Sequence, residues 1–325
     1  MEQRQVGRTG LRVSALGLGT MTWSRDTDEH EATELLRDFV DAGGTLVDTS
    51  ASYADGGAEA LLGELLTGAV SRQDVVLATR AGVRRTSDGP MVDASRGALL
   101  DSLDASLRRL RTDHVDLWLL QSPDPRTPVH ETADALRTAV SSGRARYVGL
   151  SNHPGWATAR MAGLLDPEPA LAALEVEYSL LARGIEREVQ PAAAALGLGL
   201  LAWSPLGRGV LTGKYRRTVP ADSRAASAHL AGFVQPYLDA SSAAVVDAVV
   251  TAAEGLDRAP LEVALAWVSA RPQVSSAVLG ARTATQLRGA LASTSLQLPE
   301  EIVAALDEVT RPAIGYPERL VTGRD

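Results

Sequence analysis

Short apolar runs that end in small or polar residues recur along the chain: Ala15–Gly19, Thr45–Thr49, Val75–Thr79, Val115–Leu120, Ala145–Leu150, Ala173–Glu177, Gly199–Trp203 and Ser276–Leu279. They are apolar at successive positions, as expected of strands covered by helices outside and packed inside. Most are separated by alanine- and leucine-rich stretches with helical spacing. In Asp28–Ala42 the residues Ala32, Leu35, Leu36 and Phe39 fall on one face, and in Ser95–Leu110 the residues Leu99, Leu103 and Leu107 recur every four. Thr27 or Asp28 can N-cap the first helix, Gly43-Gly44 ends it, and Pro128 and Pro154 stand where first-turn prolines are tolerated.

Eight strands alternating with helices predict an α/β protein with a parallel sheet. One closed (β/α)8 TIM barrel spanning residues 1–325 is favoured over a doubly wound open sheet, because no linker divides two cores. Residues Arg4–Val6 and Leu11–Val13 flank Gly7-Arg8-Thr9-Gly10 and predict an N-terminal β-hairpin. Between the seventh and eighth strands lies a long insertion. It holds a Ser/Ala-rich loop, Arg216–Ser242, and two expected helices, Ala243–Gly255 and Pro260–Ala270. An insertion at that end of a barrel reads as a lid.

Composition narrows the function classes. A net charge of −8 argues against a dedicated nucleic-acid or anionic-membrane binder. The chain has no cysteine, which excludes disulfides, thiolate zinc, iron–sulfur centres and a cysteine nucleophile. Met1–Gly10 is polar, so no secretory signal is expected, and charges interrupt every apolar run before the roughly 20 residues of a membrane span. The expectation is a soluble cytoplasmic protein.

In a barrel of this kind the active site lies at the carboxyl ends of the strands. There the chain offers Asp48-Thr49-Ser50 with Tyr53 beyond, Thr79-Arg80, Gln121-Ser122-Pro123-Asp124, Ser151-Asn152, Glu175 to Tyr178, and Trp203-Ser204-Pro205-Leu206. With these in view the chain resembles the aldo-keto reductase superfamily over nearly its whole length. The residues that carry the likeness are Gly17-Leu18-Gly19-Thr20-Met21, Val47-Asp48-Thr49 with Tyr53, Gly149-Leu150-Ser151-Asn152, Glu177-Tyr178-Ser179-Leu180-Leu181, and Trp203 through Tyr215.

The resemblance implies NADPH-dependent reduction of a small-molecule carbonyl, an aldehyde or ketone, or of a carbonyl-conjugated substrate. A tyrosine serves as proton donor, with an aspartate, a lysine and a histidine beside it. A phenol with a pKa of about 10 needs a nearby cation to act as an acid near neutrality, and a buried carboxylate holds that cation. Tyr53 and Asp48 match; otherwise Asp48 would cap the next turn and Tyr53 would pack in a loop. Two positions depart: Arg80 stands in the lysine place and Gln121 in the histidine place. Arginine keeps the charge but not the proton, and glutamine donates a hydrogen bond but carries no charge. His153 and His229 are the histidines able to approach the site in place of the missing imidazole; otherwise they are solvated loop residues.

For the cofactor, the resemblance gives Thr20, Met21 and Asp48 as binding residues and places Ser151 and Asn152 on the nicotinamide carboxamide. Glu175 stands where a glutamine is usual, and Trp203 stacks on the nicotinamide. Ser204, Pro205, Leu206, Gly209 and Leu211 line the pyrophosphate groove, with Lys214 as counter-charge. After the eighth strand, Gly280, Arg282 and Gln286 resemble the site of the adenosine 2′-phosphate, which argues for NADPH over NADH. A surface arginine at a helix start is the other reading of Arg282. The usual Glu-Asn that holds adenine is replaced by Gly289-Ala290. Met21, Trp23, Tyr53, Trp203 and the 216–242 loop are expected around the substrate pocket, and the tail Arg311–Asp325 over the barrel mouth, as in the family. The departures leave a second reading open: a nucleotide-binding regulatory or interaction protein with little turnover, like the potassium-channel β subunits of the superfamily.

Overall fold

The computed structural model describes residues 1–86, 89–221, 223–313, 315 and 316. Its centre is a closed barrel of parallel strands: β1 Leu16–Gly19, β2 Leu46–Asp48, β3 Val76–Ala81, β4 Val115–Leu120, β5 Ala145–Ser151, β6 Leu171–Glu177, β7 Gly199–Trp203 and β8 Val274–Leu279. Each strand pairs with its neighbour in sequence, and β8 closes on β1 through Ala277–Leu16 and Val278–Gly17. All eight expected strands are present, β4 and β7 with the expected ends. Around them stand α1 Glu29–Asp41, α2 Gly57–Gly68, α3 Arg96–Arg109, α4 Val129–Ser141, α5 Gly155–Leu165 and α6 Val189–Leu196.

Local chemistry sets the helix ends. Asp28 caps α1 by accepting a hydrogen bond from the Glu31 amide at 2.9 Å. Pro128 and Pro154 each occupy the N-cap, one place ahead of the first helical turn. The insertion carries α7 Ala240–Gly255 and α8 Pro260–Ser269, and β8 is followed by α9 Ala284–Leu291 and α10 Glu300–Val309. Helix α7 begins three residues before the expected Ala243, because Asp239 accepts from the Ser242 amide at 2.8 Å and so caps an earlier turn. Of the expected tail over the mouth, residues 314 and 317–325 lie outside the described residues.

Strand alternation divides the apolar side chains into two cores. Leu77, Val47, Trp118, Leu174 and Leu200 face the helices. Leu46, Ala78, Leu117, Leu119, Ala173, Leu201 and Val278 fill the barrel. Gly149 makes room for this filling: a Cβ there would lie 2.7 Å from Leu119 Cδ2 and 2.5 Å from the Ala173 carbonyl oxygen. The N-terminal hairpin, Gln3–Gln5 with Arg12–Ser14, closes the amino end of the barrel by adding Val6, Leu11 and Val13 to this inner core. A second hairpin, Val83–Thr86 with Gly89–Val92, extends beyond β3. No helix among the described residues is long and apolar enough to cross a membrane.

Candidate active site

Two residues beyond Leu46, Ala78, Ala173 and Leu201 along their strands come Asp48, Arg80, Glu175 and Trp203. A period of two returns each side chain to the barrel interior, so these four form the polar layer on top of the apolar one. There Arg80 is the hub. Its Nη2 donates to Asp48 Oδ2 at 2.6 Å and to Tyr53 Oη at 2.7 Å. Its Nη1 donates to Glu175 Oε2, three strands away. The guanidinium carbon also lies 5.3 Å from the Tyr53 ring centroid. Asp48, Arg80 and Glu175 are only 3%, 5% and 0% exposed, so one cation serves two carboxylates out of reach of bulk water.

That imbalance moves the protonation equilibria. Burial raises the Asp48 carboxyl well above the usual carboxylate range, and although Arg80 opposes the rise, the nearby Glu175 charge adds to it. The Tyr53 phenol is raised by burial, and Asp48 and Glu175 add to the rise against the opposing pull of Arg80. The site thus holds a neutral phenol beside a permanent cation. Among the described residues, three buried polar atoms of the cluster have no protein partner: Asp48 Oδ1, Arg80 Nε and Glu175 Oε1.

Asp48, Tyr53 and Arg80 line a cavity of about 210 Å³ together with Gly19, Met21, Gln121, Asn152, Trp203, Ser204, Pro205, Leu206, Phe233, Val278 and Gly280 among others. Gln121 is oriented by two serines: its Oε1 accepts from Ser50 Oγ at 3.2 Å and its Nε2 donates to Ser52 Oγ at 3.2 Å. Asn152 Nδ2 donates to the Gln121 carbonyl and to Ser151 Oγ, both at 3.0 Å, and its Oδ1 accepts from the Trp203 indole at 3.0 Å. Thr20 is buried beneath, its hydroxyl donating to the Asp48 carbonyl at 3.1 Å. Leu206 accepts from the Gly209 and Leu211 amides at 3.0 and 3.1 Å, where Gly209 takes a φ of +94° that favours glycine. Lys214 lies over the Tyr215 ring at 5.2 Å.

The expected pocket residue Trp23 and both candidate histidines lie outside the cavity lining. Trp23 is fully buried in the core outside the barrel and does not line the cavity. His153 is buried, with Nδ1 2.8 Å from the Ser151 carbonyl oxygen, and burial lowers its pKa. His229 pairs with Asp26 at 3.1 Å, tying the insertion loop to the loop after β1. Neither histidine lines the cavity.

Phe233 and Arg224 contribute without a motif of their own, while Arg208 and Glu177 belong to motifs that gave no role for their pairing. Phe233 lies nearly parallel to Trp203, with ring centroids 6.4 Å apart at 19°. Arg208 packs over Phe233 at 4.2 Å and forms a two-pronged pair with Glu177 at 2.8 and 2.7 Å, fastening the insertion over the mouth. Arg224, also from the insertion, lines the cavity and donates to the Gly280 carbonyl at 3.3 Å. Burial lowers its pKa, and the neighbouring Arg282 charge lowers it further. Arg282 in turn donates its amide to Gln286 Oε1 at 3.0 Å, at the Thr283-capped start of α9. The Arg224 guanidinium therefore sits beside the end of β8 within the electrostatic influence of Arg282.

Comparison with known proteins places this architecture. The Aldo/keto reductase family model matches residues 15–311. A Bacillus subtilis protein described as an uncharacterized oxidoreductase, YrpG, is 36% identical over 320 residues, covering 95% of this chain and 96% of the relative. A probable voltage-gated potassium channel subunit beta from Oryza sativa subsp. japonica is 34% identical over 299 residues, covering 88% and 89% of the two chains. Protein tas of Escherichia coli is 31% identical over 341 residues, covering 95% and 97%. The barrel, its polar layer and these relatives agree, and the chain belongs to the aldo/keto reductase family of oxidoreductases.

Proposed function

We propose that the protein is an NADPH-dependent reductase of carbonyl or carbonyl-conjugated substrates, with Tyr53 as proton donor. The observation that carries this reading is the placement of Tyr53 Oη, 2.7 Å from Arg80 Nη2 at the wall of the cavity. Because that oxygen accepts from the guanidinium, its own proton is left to donate to a substrate oxygen. The raised phenol keeps the proton in place until negative charge develops on the substrate, and the adjacent cation then stabilises the phenolate. Gln121, oriented by Ser50 and Ser52, supplies a neutral polar group where the family has a histidine.

The residues present fit a nicotinamide dinucleotide. Glu175 Oε1 is a buried acceptor without a partner among the described residues, next to Ser151 and Asn152 in the register of β5 and β6, and a carboxamide N–H would satisfy it. Ser204, Pro205 and Leu206 border the cavity, as does Arg224, and the charges of Arg224 and Arg282 favour phosphate. When bound, the cofactor supplies the hydride. Trp203 presents a ring for stacking, and its indole fixes Asn152.

A second reading, binding with little turnover, draws support from the relatives described as probable channel β subunits. Incubating the protein with NADPH and a panel of aldehydes, ketones and enones separates the two. Cofactor oxidation with any member supports the reductase, whereas quenching of tryptophan fluorescence by NADPH with no oxidation supports the second reading. In the same assay, Arg282→Ala weakens NADPH by about 10-fold, the size of one charge-assisted phosphate contact, and leaves NADH nearly unchanged. Equal losses for both would remove Arg282 from the 2′-phosphate.

A further inference from the structure

The replacements at positions 80 and 175 meet. Arg80 leaves the inner face of β3 and reaches Glu175 on β6, and every hydrogen bond given to the guanidinium comes from its two terminal nitrogens. At one end stand Asp48 and Tyr53; at the other stands Glu175 alone. Arg80 Nε, the remaining donor of the group, has no partner among the described residues. We propose that Glu175 is a positioning residue: by gripping Nη1 of Arg80 it aims Nη2 at Asp48 and Tyr53, so arginine at 80 and glutamate at 175 work as one matched pair.

The reason is geometric. A guanidinium is a planar fork whose two ends must both be held for its direction to be defined. Lysine at this place ends in a single ammonium, one atom shorter, and has no second arm to anchor. Arginine has one, and a buried N–H without an acceptor is unfavourable, so the arm needs an acceptor across the barrel. Glu175 meets that need because it sits two residues after Ala173, in the same barrel layer as Arg80, two after Ala78. A carboxylate at 175 also has a second oxygen left over. Oε1 is buried without a partner among the described residues while Oε2 is engaged with Arg80.

This inference rests on the reductase reading for its kinetic consequence but not for its structural one, and the test separates them. Single-turnover hydride transfer is measured for the wild type, Glu175→Leu, Arg80→Lys and the double variant, with NADPH affinity followed by tryptophan fluorescence. In the wild-type background, Glu175→Leu slows transfer on the order of 10-fold to 100-fold, as expected for a misplaced catalytic neighbour. Combined with Arg80→Lys, the same change costs only about 3-fold, because the second arm is gone, and this non-additivity is the signature of the pair. Glu175→Gln, which keeps an acceptor oxygen, recovers most of the rate. Equal losses in both backgrounds would overturn the proposal and leave Glu175 as a cofactor contact alone.

A crystal structure of Glu175→Leu without cofactor reads the positioning directly. The expected result is an Arg80 Nη2 that no longer contacts Tyr53 Oη; retention of the 2.7 Å contact overturns the proposal whatever the kinetics. Should Glu175→Leu fail to fold, Glu175→Asp keeps the charge and shortens the reach, and the same contact decides. If the wild type turns over no substrate, the reductase reading fails while the crystallographic arm still decides the role of Glu175.

Discussion

Thr79 and Arg80 are neighbours on β3, yet they serve two buried clusters of opposite character. Thr79 faces the helices, where its hydroxyl donates to Glu59 Oε1 at 2.6 Å while Arg109 Nε donates to Glu59 Oε2 at 2.8 Å. One carboxylate meets one guanidinium and one hydroxyl, and both its oxygens are satisfied. Arg80 faces inward, where one guanidinium meets two carboxylates and a phenol, and three polar atoms are left over. A buried group without a partner is unfavourable, so a fold built for stability alone removes such groups. The outer cluster does so. The inner one leaves its spare atoms and its unbalanced charge beside the cavity, where a ligand and a developing charge can use them.

The largest expected effect lies at the end of the inner cluster. Tyr53→Phe removes the proton without disturbing the ion pairs, so kcat falls by about 10²- to 10⁴-fold, the usual contribution of a general acid, while thermal stability and NADPH affinity hold. Full activity in that variant would break the comparison, since the neutral phenol would have no task.

Next comes a carboxylate-to-amide change on each side of β3. Glu59→Gln leaves Arg109 without its counter-charge and destabilises the fold by about 2 to 3 kcal/mol, somewhat below the usual range for a buried pair because Arg109 reaches solvent. Turnover by the folded protein is unchanged. Asp48→Asn has the opposite sign. With Glu175 retained, it leaves one carboxylate per guanidinium and removes a carboxyl whose charged form is disfavoured by burial. Denaturant melts near neutral pH should show Glu59→Gln less stable than the wild type and Asp48→Asn at least as stable. Two losses of similar size would mean that the inner cluster is as structural as the outer.

Much of this contrast was legible before the fold was known. The apolar runs mark the strands because each must be apolar toward helices and interior alike, and β4 and β7 end where their runs end. β3 continues past its run to Ala81, because Arg80 is an inward residue that finds ionic partners instead of solvent. The hairpin after β3 was invisible, since Val83–Thr86 and Gly89–Val92 have no alternating apolar face. At the site, motif spacing locates Asp48, Tyr53, Arg80 and Glu175 singly. Their meeting depends on barrel closure, which no local period encodes, although the shared i+2 step from Ala78 and Ala173 was a usable sign. Arg224, Phe233 and the Ser50–Ser52 support of Gln121 left no such sign, because loop packing alone brings them in.

A third carboxylate sharpens the comparison with the smallest effect. Asp124, in the loop after β4, accepts from the Ala94 and Arg126 amides at 3.1 and 2.9 Å and from the Thr127 hydroxyl at 2.8 Å. Burial pushes its carboxyl up, but these donors and a hydrogen bond from the Arg126 side chain outweigh burial and hold it down at about 2. The two aspartates should therefore have opposite acid signatures. For Asp124 the folded value lies below the unfolded one, so its contribution is present above about pH 4 and is lost as pH falls toward 2. For Asp48 the folded value lies above the unfolded one, so stability declines as pH rises from about 4. Asp124→Asn accordingly lowers stability at neutral pH by about 1 to 2 kcal/mol, and the difference from the wild type closes below pH 2 or so. Asp48→Asn shows no deficit at neutral pH and loses ground to the wild type on acidification. A carboxylate surrounded only by donors stabilises the fold by being charged. One that is buried and shares its cation with a second carboxylate stabilises the fold less as it ionises, and parallel acid titrations of the two variants distinguish these cases.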